Sequence, residues 1–180
     1  MDLNKFIKYR IEYIQKKKEE LDYLLSFEMP EFKSVEFSSI DIDDEYAKNL
    51  LDKVNINKDS KIIYYIKINS KDKATQIIDL VTKKKKNKKV KLPLVNSKNN
   101  NSDILYVGKT NSNFPSRFKS HLCLTNPSTF ALHLEHWKKD LPLHLTLWFA
   151  EITLDEDKYM EQLESILHDQ LKPILGRSGH

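Results

Sequence analysis

The stretch ILYVGKTNSNFPSRFKSHL, residues 104–122, decides the fold class of this 180-residue chain. Its first five residues form an apolar run rich in β-branched and aromatic side chains, which predicts a strand. Pro115 suits the first turn of a helix that follows. Arg117 and His121 are four residues apart on that helix, so their side chains share one face. We therefore expect a strand followed directly by a helix that presents a cation and an imidazole together.

Glycine is rare in this chain, with three residues in 180. Because proteins average about 7% glycine, the positions that keep it are informative. Gly108 ends the strand-like run, and Gly176 and Gly179 lie in the C-terminal segment PILGRSGH. A glycine at a strand end usually marks a close approach or a backbone geometry that other residues cannot adopt. We expect such a requirement at Gly108.

The remaining elements indicate an α+β fold with a small sheet, because strands alternate irregularly with helices. KIIYYIKI (61–68) and LHLTLWFAEI (143–152) predict strands, and FKSVEFSSIDI (32–42) alternates weakly enough to be another. Helical spacing and caps predict helices over 3–26, from Asp43 or Asp44 to Val54, from Ser70 into a lysine run, from Asn126 to Trp137, and over 155–171.

Composition excludes several classes of protein. The chain is 39% hydrophobic and 31% charged, and it has no run of eighteen apolar residues that could span a bilayer. The segment MDLNKFIKYR lacks the apolar run of a signal peptide. Cys123 is the single cysteine, so no internal disulfide can form. These features predict a cytoplasmic, reducing environment rather than a secreted disulfide scaffold.

The positive charge is local. The net charge is +4, and seven lysines stand in one run, KKKKNKKVK, so the rest of the chain is slightly acidic. Repulsion within the run predicts a solvated, extended segment. Two interpretations are equally supported: contact with a nucleic-acid backbone, or a mobile loop. The seven candidates for nucleic-acid binding are Lys83, Lys84, Lys85, Lys86, Lys88, Lys89 and Lys91.

Tyrosines, an arginine and one carboxylate form a plausible set for cleaving a phosphodiester. Arg117 can fork onto two phosphate oxygens. On the last helix, Glu164 falls on the flank of the apolar face and Glu161 nearly opposite. A lone carboxylate can hold one hard cation such as Mg²⁺, which keeps its waters. A tyrosine is a poor base without a nearby cation, which Lys109 or a metal could supply.

These motifs resemble the GIY-YIG nuclease family. IIYYI matches its first motif with Ile62 in place of the glycine, and Tyr106-Val107-Gly108 matches the second. Arg117 and His121 match the helix that follows, and ESILHDQLKP matches the helix with the metal-binding glutamate. The resemblance covers about residues 60–180. The 42-residue separation of Tyr64 from Tyr106 implies an insertion at about 70–102, which a sheet can tolerate.

The resemblance implies a three-stranded antiparallel sheet flanked by helices, with residues 1–58 as an N-terminal helical extension of a single domain. It implies DNA hydrolysis with one Mg²⁺ or Mn²⁺ per site. Tyr64 would act as general base or orient the water, and Tyr106 would contact the phosphate. Arg117 would stabilise the transition state and Glu164 would bind the metal. Lys109 and His121 would assist proton transfer or phosphate binding.

One departure from the family pattern keeps alternatives open. The family's asparagine after the closing proline is replaced by Gly176, with Arg177 or Ser178 as substitutes. A restriction- or defence-type endonuclease, a structure-specific repair nuclease and an inactive nucleic-acid-binding module are all compatible with the sequence. Cutting both strands would need a homodimer or sequential nicking. The N-terminal helix has an apolar stripe at helical spacing, formed by Ile7, Ile11, Ile14, Leu21 and Leu25. We expect this stripe to pack on the core of the protein itself. A protein-interaction domain, in which the stripe packs on a partner, is a further alternative function.

Overall fold

The computed structural model describes residues 3–86, 90–122, 124–136, 139–153 and 157–178, apart from the side chains of Asn4 and Lys71. The chain divides into two compact units, Met1–Pro30 and Glu31–His180. Among the described residues, no helix is both long and apolar enough to cross a membrane.

The first unit is built on one helix, α1 (Leu3–Ser26), as the helical spacing predicts. Its apolar stripe is exposed: Ile11, Ile14 and Leu21 each keep 58% of their surface accessible. The packing of this stripe on the protein's own core stays a prediction.

The second unit holds the sheet and four helices. The strands are β1 (Lys33–Ser38), β2 (Lys61–Ile68), β3 (Ile104–Thr110) and β4 (His144–Ile152). The helices are α2 (Asp44–Val54), α3 (Ala74–Lys85), α4 (Phe114–Leu122) and α5 (Asp157–Leu171). Residues 155 and 156, at the start of the predicted 155–171 helix, lie outside the described residues.

The sheet has four strands instead of the three expected, in the order β1-β4-β2-β3, and every neighbouring pair is antiparallel. The additional strand is β1, which pairs along β4 from Lys33 opposite Phe149 to Ser38 opposite His144. Phe37 explains this placement, because it is buried and meets the ring of Phe118 edge-on at 5.6 Å. Residues before the family-like core thus complete the sheet.

The two tyrosine strands are neighbours despite their distance in sequence. β2 pairs with β3 so that Tyr64 lies opposite Gly108 and Ile66 opposite Tyr106. The insertion between them contains α3, whose Ile77 and Val81 are fully buried. Because this insertion folds and buries its own apolar face, it can connect β2 and β3 without preventing them from pairing.

Two local predictions are wrong. Ser70 does not cap α3; a 3₁₀ turn, Lys71–Lys73, precedes the helix instead. Residues 124–133 contain no helix, and only a 3₁₀ turn, Leu134–His136, follows them. Pro127 O accepts from the backbone N–H of Lys91, and Lys91 O accepts from Ala131 N–H. These backbone groups therefore serve a neighbouring segment and are not available to a helix. Trp137 lies outside the described residues.

The lysine run is not an extended segment where it is described. Lys83, Lys84 and Lys85 form the last turn of α3, where cations are favourable beside the helix C-terminus. Lys84 Nζ lies 2.6 Å from an Asp140 carboxylate oxygen and donates to His136 O at 2.7 Å. This pairing offsets the repulsion from which an extended segment was predicted. Lys88 and Lys89 lie outside the described residues.

Candidate active site

A cavity of about 640 Å³ opens in the second unit beside β3, α4, α5 and the C-terminal segment. Four of the six predicted catalytic residues line it: Tyr106, Lys109, Arg117 and Glu164. The other two do not line it, but Tyr64 is hydrogen-bonded to Arg117, and His121 to Tyr64. Its lining residues are Lys85, Leu92, Pro93, Leu94, Tyr106, Lys109, Arg117, Phe130, Glu164, Gly176 and Arg177.

Arg117 is fixed by three oxygen atoms from three segments. Its Nη2 donates to Tyr106 Oη at 3.0 Å and its Nε to Tyr64 Oη at 3.4 Å. Its Nη1 donates to Phe130 O at 2.8 Å. The two phenols lie on neighbouring strands, so the arginine on α4 connects β2, β3 and the loop around Phe130. The chain holds its guanidinium in one orientation.

His121 lies one turn further along α4 and reaches the same tyrosine. Its Nε2 is 2.8 Å from Tyr64 Oη, and its Nδ1 accepts from the backbone N–H of Leu132 at 3.2 Å. Burial lowers the pKa of His121 well below its usual value, so the ring is neutral. Since Nδ1 accepts, the proton sits on Nε2 and is donated to Tyr64 Oη. Tyr64 Oη thus accepts from both Arg117 and His121.

Burial raises the pKa of both tyrosines, and Arg117 opposes the shift in each case. Both phenols are therefore protonated at neutral pH in the absence of a further cation. Arg117 is the cation that contacts them. Lys109, which was expected as one source of this effect, instead lies 3.6 Å from Glu161 Oε1.

Acid should destabilise the fold through His121. In the unfolded chain a histidine takes up a proton near pH 6.5, whereas the buried ring does not until the pH is lower. The stability that neutral His121 contributes is thus present above pH 6.5 and is lost as the pH falls below it. We expect the His121→Gln variant, which cannot titrate, to lose less stability between about pH 7 and pH 5.

Urea denaturation at a series of pH values measures this difference, whose slope has an upper limit of about 1.4 kcal/mol per pH unit for one proton. The His144→Gln variant, at an exposed position, is the control and should follow the wild-type curve. Parallel curves for His121→Gln and the wild type would contradict a neutral buried imidazole.

Gly108 allows the two tyrosines to lie close to β3, which confirms the expected close approach. A Cβ at this position would lie 2.7 Å from Tyr64 Oη and 2.8 Å from Tyr106 Cε1. Both contacts are shorter than carbon atoms tolerate, and both rings are held by Arg117. A side chain larger than hydrogen would therefore displace the phenols from the arginine.

The Gly108→Ala variant should lose activity beyond its loss of stability. Overpacking costs about 1–3 kcal/mol, and a misplacement of about 1 Å at reacting groups can lower a rate about 100-fold. Val107→Ala is the matched control, since it removes buried apolar volume from the same strand without crowding either phenol. Single-turnover cleavage and thermal unfolding separate the two effects. Wild-type cleavage by Gly108→Ala would show that the phenols need not stay where they are.

Glu164 is the buried carboxylate of the cavity. It is 5% exposed, and its Oε2 has no hydrogen-bond partner among the described groups. Burial raises its pKa to about 7, against the opposing effects of Lys109 and Arg117. Glu161 on the same helix is exposed and pairs with Lys109. The flank position predicted for Glu164 therefore places it in the cavity.

The donor atoms around this cavity fit a single hard cation. No cluster of three or more histidine, cysteine or acidic side chains occurs among the described residues. Glu164 would be the protein's ligand, through the oxygen that has no partner. Mg²⁺ commonly binds through one or two carboxylates and keeps several waters, so this donor set suits it.

The C-terminal segment closes one side of the cavity, and two asparagines that the sequence analysis did not single out hold it there. Asn96 Nδ2 donates to Pro173 O and Gly176 O, each at 3.0 Å, and Asn99 Nδ2 donates to Pro173 O at 2.9 Å. Gly176 has a φ of 109°, which favours glycine, and packs against the Tyr106 ring. Both lie in the asparagine-rich stretch VNSKNNN (95–101), which was the available signal, because asparagine side chains readily bond to backbone groups.

The two suggested substitutes for the family's asparagine lie in different places. Arg177 lines the cavity. Ser178 Oγ instead lies 2.9 Å from Ser165 Oγ on α5. Of the two, Arg177 is therefore placed to act in the cavity.

Phe130 forms an apolar rim that sequence reasoning missed. Its ring is 64% exposed, and Lys91 Nζ lies 5.4 Å from the ring centroid. Leu94, also on the cavity wall, is 45% exposed. Lys85 is on the same wall and donates to Pro93 O at 3.1 Å. The cavity thus combines charged groups with an exposed aromatic surface.

A small antiparallel sheet that presents two tyrosines to a fixed arginine, beside an unpartnered carboxylate, has the groups that phosphodiester cleavage requires. This arrangement is typical of a nuclease site. Residues 96–176 match the family model of the GIY-YIG catalytic domain. This segment of the chain is therefore similar to the GIY-YIG catalytic domain.

The matched range runs from the loop before β3 to Gly176 and does not include β2, although β2 carries Tyr64. The structure supplies this missing part, because it pairs β2 with β3 across the insertion. Comparison with curated proteins and with solved structures finds no match to the chain.

Proposed function

We propose that the protein is a divalent-metal-dependent DNA endonuclease. The observation that carries this proposal is the placement of Arg117, bonded to both tyrosines, in the same cavity as the buried, unpartnered Glu164. The first can neutralise charge on a phosphate, and the second can hold a cation.

Arg117 keeps donors for substrate. A guanidinium has five N–H groups, and three are used by Tyr64, Tyr106 and Phe130 O. The remaining two belong to the two Nη atoms and can donate to the oxygens of a phosphate. The negative charge that grows on the phosphate during attack is thereby stabilised by a cation that needs no reorganisation.

In this proposal Tyr64 has the role of general base. Its oxygen accepts from His121 and Arg117, and both bonds favour the phenolate over the phenol. Mg²⁺ or Mn²⁺ held by Glu164 would add positive charge near Tyr64, and this charge would further favour loss of the phenolic proton. Tyr64 would act as base in its phenolate form, after its own proton has been released to bulk water, and would then take the proton from the attacking water. His121 keeps its own proton on Nε2 and orients the Tyr64 oxygen.

Lys109 and Tyr106 complete the set. The Lys109 side chain is 11% exposed, lines the cavity and is held by Glu161. An ammonium in this position can donate to a non-bridging or leaving oxygen of the phosphate. Tyr106 supports Arg117 through its hydroxyl and can contact the same phosphate.

The cavity rim suits a nucleotide next to the cleaved bond. The exposed ring of Phe130 offers a face on which a base or sugar can pack, and Lys91 beside it can meet the adjoining phosphate. Lys85 and Arg177 add positive charge on the cavity wall. The lysine run would thus contribute to DNA binding through its members nearest the cavity.

The Phe130→Ala variant should bind DNA more weakly. Loss of one base–aromatic contact costs about 1–3 kcal/mol, so we expect about a tenfold rise in Kd or more. The backbone carbonyl that holds Arg117 remains, so the single-turnover rate at saturating DNA should change less than the Kd. Ile166→Ala, which removes an exposed apolar side chain from α5, is the control. Unchanged Kd for Phe130→Ala would exclude this ring from the DNA contact.

A restriction or defence role is the finer proposal. Residues outside the family match build onto the same unit, and among them α3 brings Lys85 to the wall of the cavity. We expect these additions to contact DNA flanking the cleaved bond. Discrete fragments from phage DNA would support this role, whereas cleavage confined to branched DNA would indicate a repair nuclease.

Cleavage of a covalently closed circular plasmid tests the activity itself. We expect nicked or linear DNA with Mg²⁺ or Mn²⁺, and intact plasmid with a chelator. RNA of matched length, cleaved poorly, would support DNA as the substrate. Tight DNA binding without cleavage under any divalent cation would overturn the proposal and favour the binding module that the replacement at Gly176 suggests.

A further inference from the structure

Helix α1 carries the repeat of a coiled coil. Its apolar positions alternate in steps of three and four residues, a 3.5-residue period that a single lysine interrupts. The apolar members are all exposed, from 39% at Ile7 to 84% at Leu25. The seam consists of Ile7, Ile11, Ile14, Lys18, Leu21 and Leu25.

The charges beside the seam are complementary to a second copy of the same helix. Lys8, Gln15 and Asp22 are seven residues apart and flank the seam on one side. If two copies pack antiparallel about Gln15, Lys8 of each copy faces Asp22 of the other. Two opposite-charge pairs then form by symmetry, as flanking charges do in coiled coils of defined orientation.

The seam itself favours the same orientation. In this register Ile7 lies against Leu25 of the second copy, and Ile11 against Leu21. Lys18 then lies against Ile14, along which its aliphatic stem can extend while its ammonium reaches water. A parallel pairing would place the two Lys18 side chains against each other.

On the opposite side of the seam, the charges add little repulsion between the two copies of α1. Lys17 meets its counterpart there in the antiparallel arrangement, but Glu20 of its own helix lies 2.7 Å from its Nζ. This intrahelical pair offsets the charge.

We propose that α1 is a dimerisation helix that pairs antiparallel with α1 of a second copy of this chain. The pairing rests on α1 alone and does not depend on nuclease activity. Combined with the proposed function, it would provide two active sites in one particle, so that both strands of a duplex could be cut without sequential nicking by separate chains.

Sedimentation of the full chain over a wide concentration range tests the dimer. We expect a dimer for the wild type and an increase in the dimer Kd of at least about 100-fold for Ile11→Asp, because each chain would bury an unpaired carboxylate. Tyr9→Asp introduces the same charge on the side of α1 away from the seam and should remain dimeric. Circular dichroism checks that both variants keep α1 helical. A monomeric wild type, or a dimer insensitive to Ile11→Asp, would overturn the proposal.

Charge exchange tests the orientation. Lys8→Glu and Asp22→Lys should each raise the dimer Kd about fivefold or more, and the double variant should restore it. In a Cys123→Ser background, Gln15→Cys should form a disulfide with its own counterpart, whereas Ile11→Cys should not. Cross-linking through Ile11→Cys but not Gln15→Cys, without rescue by the double charge exchange, would overturn the antiparallel arrangement.

Discussion

Replacing Glu164 by glutamine is expected to lower the single-turnover rate of DNA cleavage in Mg²⁺ by about 1000-fold or more. The amide keeps the size of the side chain but removes the negative charge that would hold the cation, and metal-ion catalysis contributes several kcal/mol to such reactions. The fold should survive, because the Glu164 Oε2 has no hydrogen-bond partner to lose. Burying the uncharged amide should cost less free energy than burying the carboxylate.

The control for this change lies on the same helix. Asp169→Asn removes the same charge from a side chain that is 83% exposed and remote from the lining of the cavity. It should cleave like the wild type. If Glu164→Gln cleaves within about tenfold of Asp169→Asn, Glu164 does not hold the catalytic cation.

Replacing Arg117 by lysine is expected to cost about 100- to 1000-fold in the same rate, although the positive charge is retained. A lysine has one nitrogen and cannot donate to Tyr64, Tyr106 and Phe130 O while also binding a phosphate. Removal of one preorganised donor for developing negative charge typically costs this much. Arg117→Ala should be slower still, because it also removes the arginine's hydrogen bonds to both phenols and leaves Tyr64 Oη with His121 as donor.

Lys119→Ala is the control for the charge that Arg117→Ala removes from α4, since Lys119 does not line the cavity. Thermal unfolding should show modest loss of stability for Arg117→Lys, so that its slow cleavage cannot be attributed to unfolding. Equal cleavage by Arg117→Lys and Lys119→Ala would contradict the role of the arginine fork.

Local geometry explains which parts of the site the sequence could predict. The four-residue spacing of Arg117 and His121 fixes a shared face of any helix, and both side chains do reach Tyr64. The scarcity of glycine singled out Gly108, whose role is a close approach of two rings. The apolar face of α5 likewise placed Glu164 at the edge of the core. Each of these properties depends on a few consecutive residues.

Contacts between distant segments could not be predicted in the same way. The stretch Asn126–Ser128 has the residues of a helix start, but the same residues also form turns. Hydrogen bonds to Lys91, far away in sequence, decide in favour of an irregular loop. That loop supplies the Phe130 carbonyl to Arg117 and the Leu132 N–H to His121. The orientation of the Arg117 and His121 side chains thus depends on a segment that was predicted to be a helix.

The fourth strand shows the same limit. Weak alternation in residues 32–42 was enough to suggest a strand, but its partner depends on which sheet edge is free. β4 offers that edge, and Phe37 secures it through burial beside Phe118. The resemblance to the nuclease family, which extends over three strands, contained no information about a strand added from outside it.

Mn²⁺ binding to the wild type, Glu164→Gln and Arg117→Lys, followed by electron paramagnetic resonance, tests the central claim most directly. The claim is that one cavity holds a cation through Glu164 and stabilises phosphate charge through Arg117, so the two residues have separable roles. We predict one Mn²⁺ per chain for the wild type and for the slowly cleaving Arg117→Lys, and loss of that site in Glu164→Gln. Equal Mn²⁺ binding by the wild type and Glu164→Gln would contradict the account.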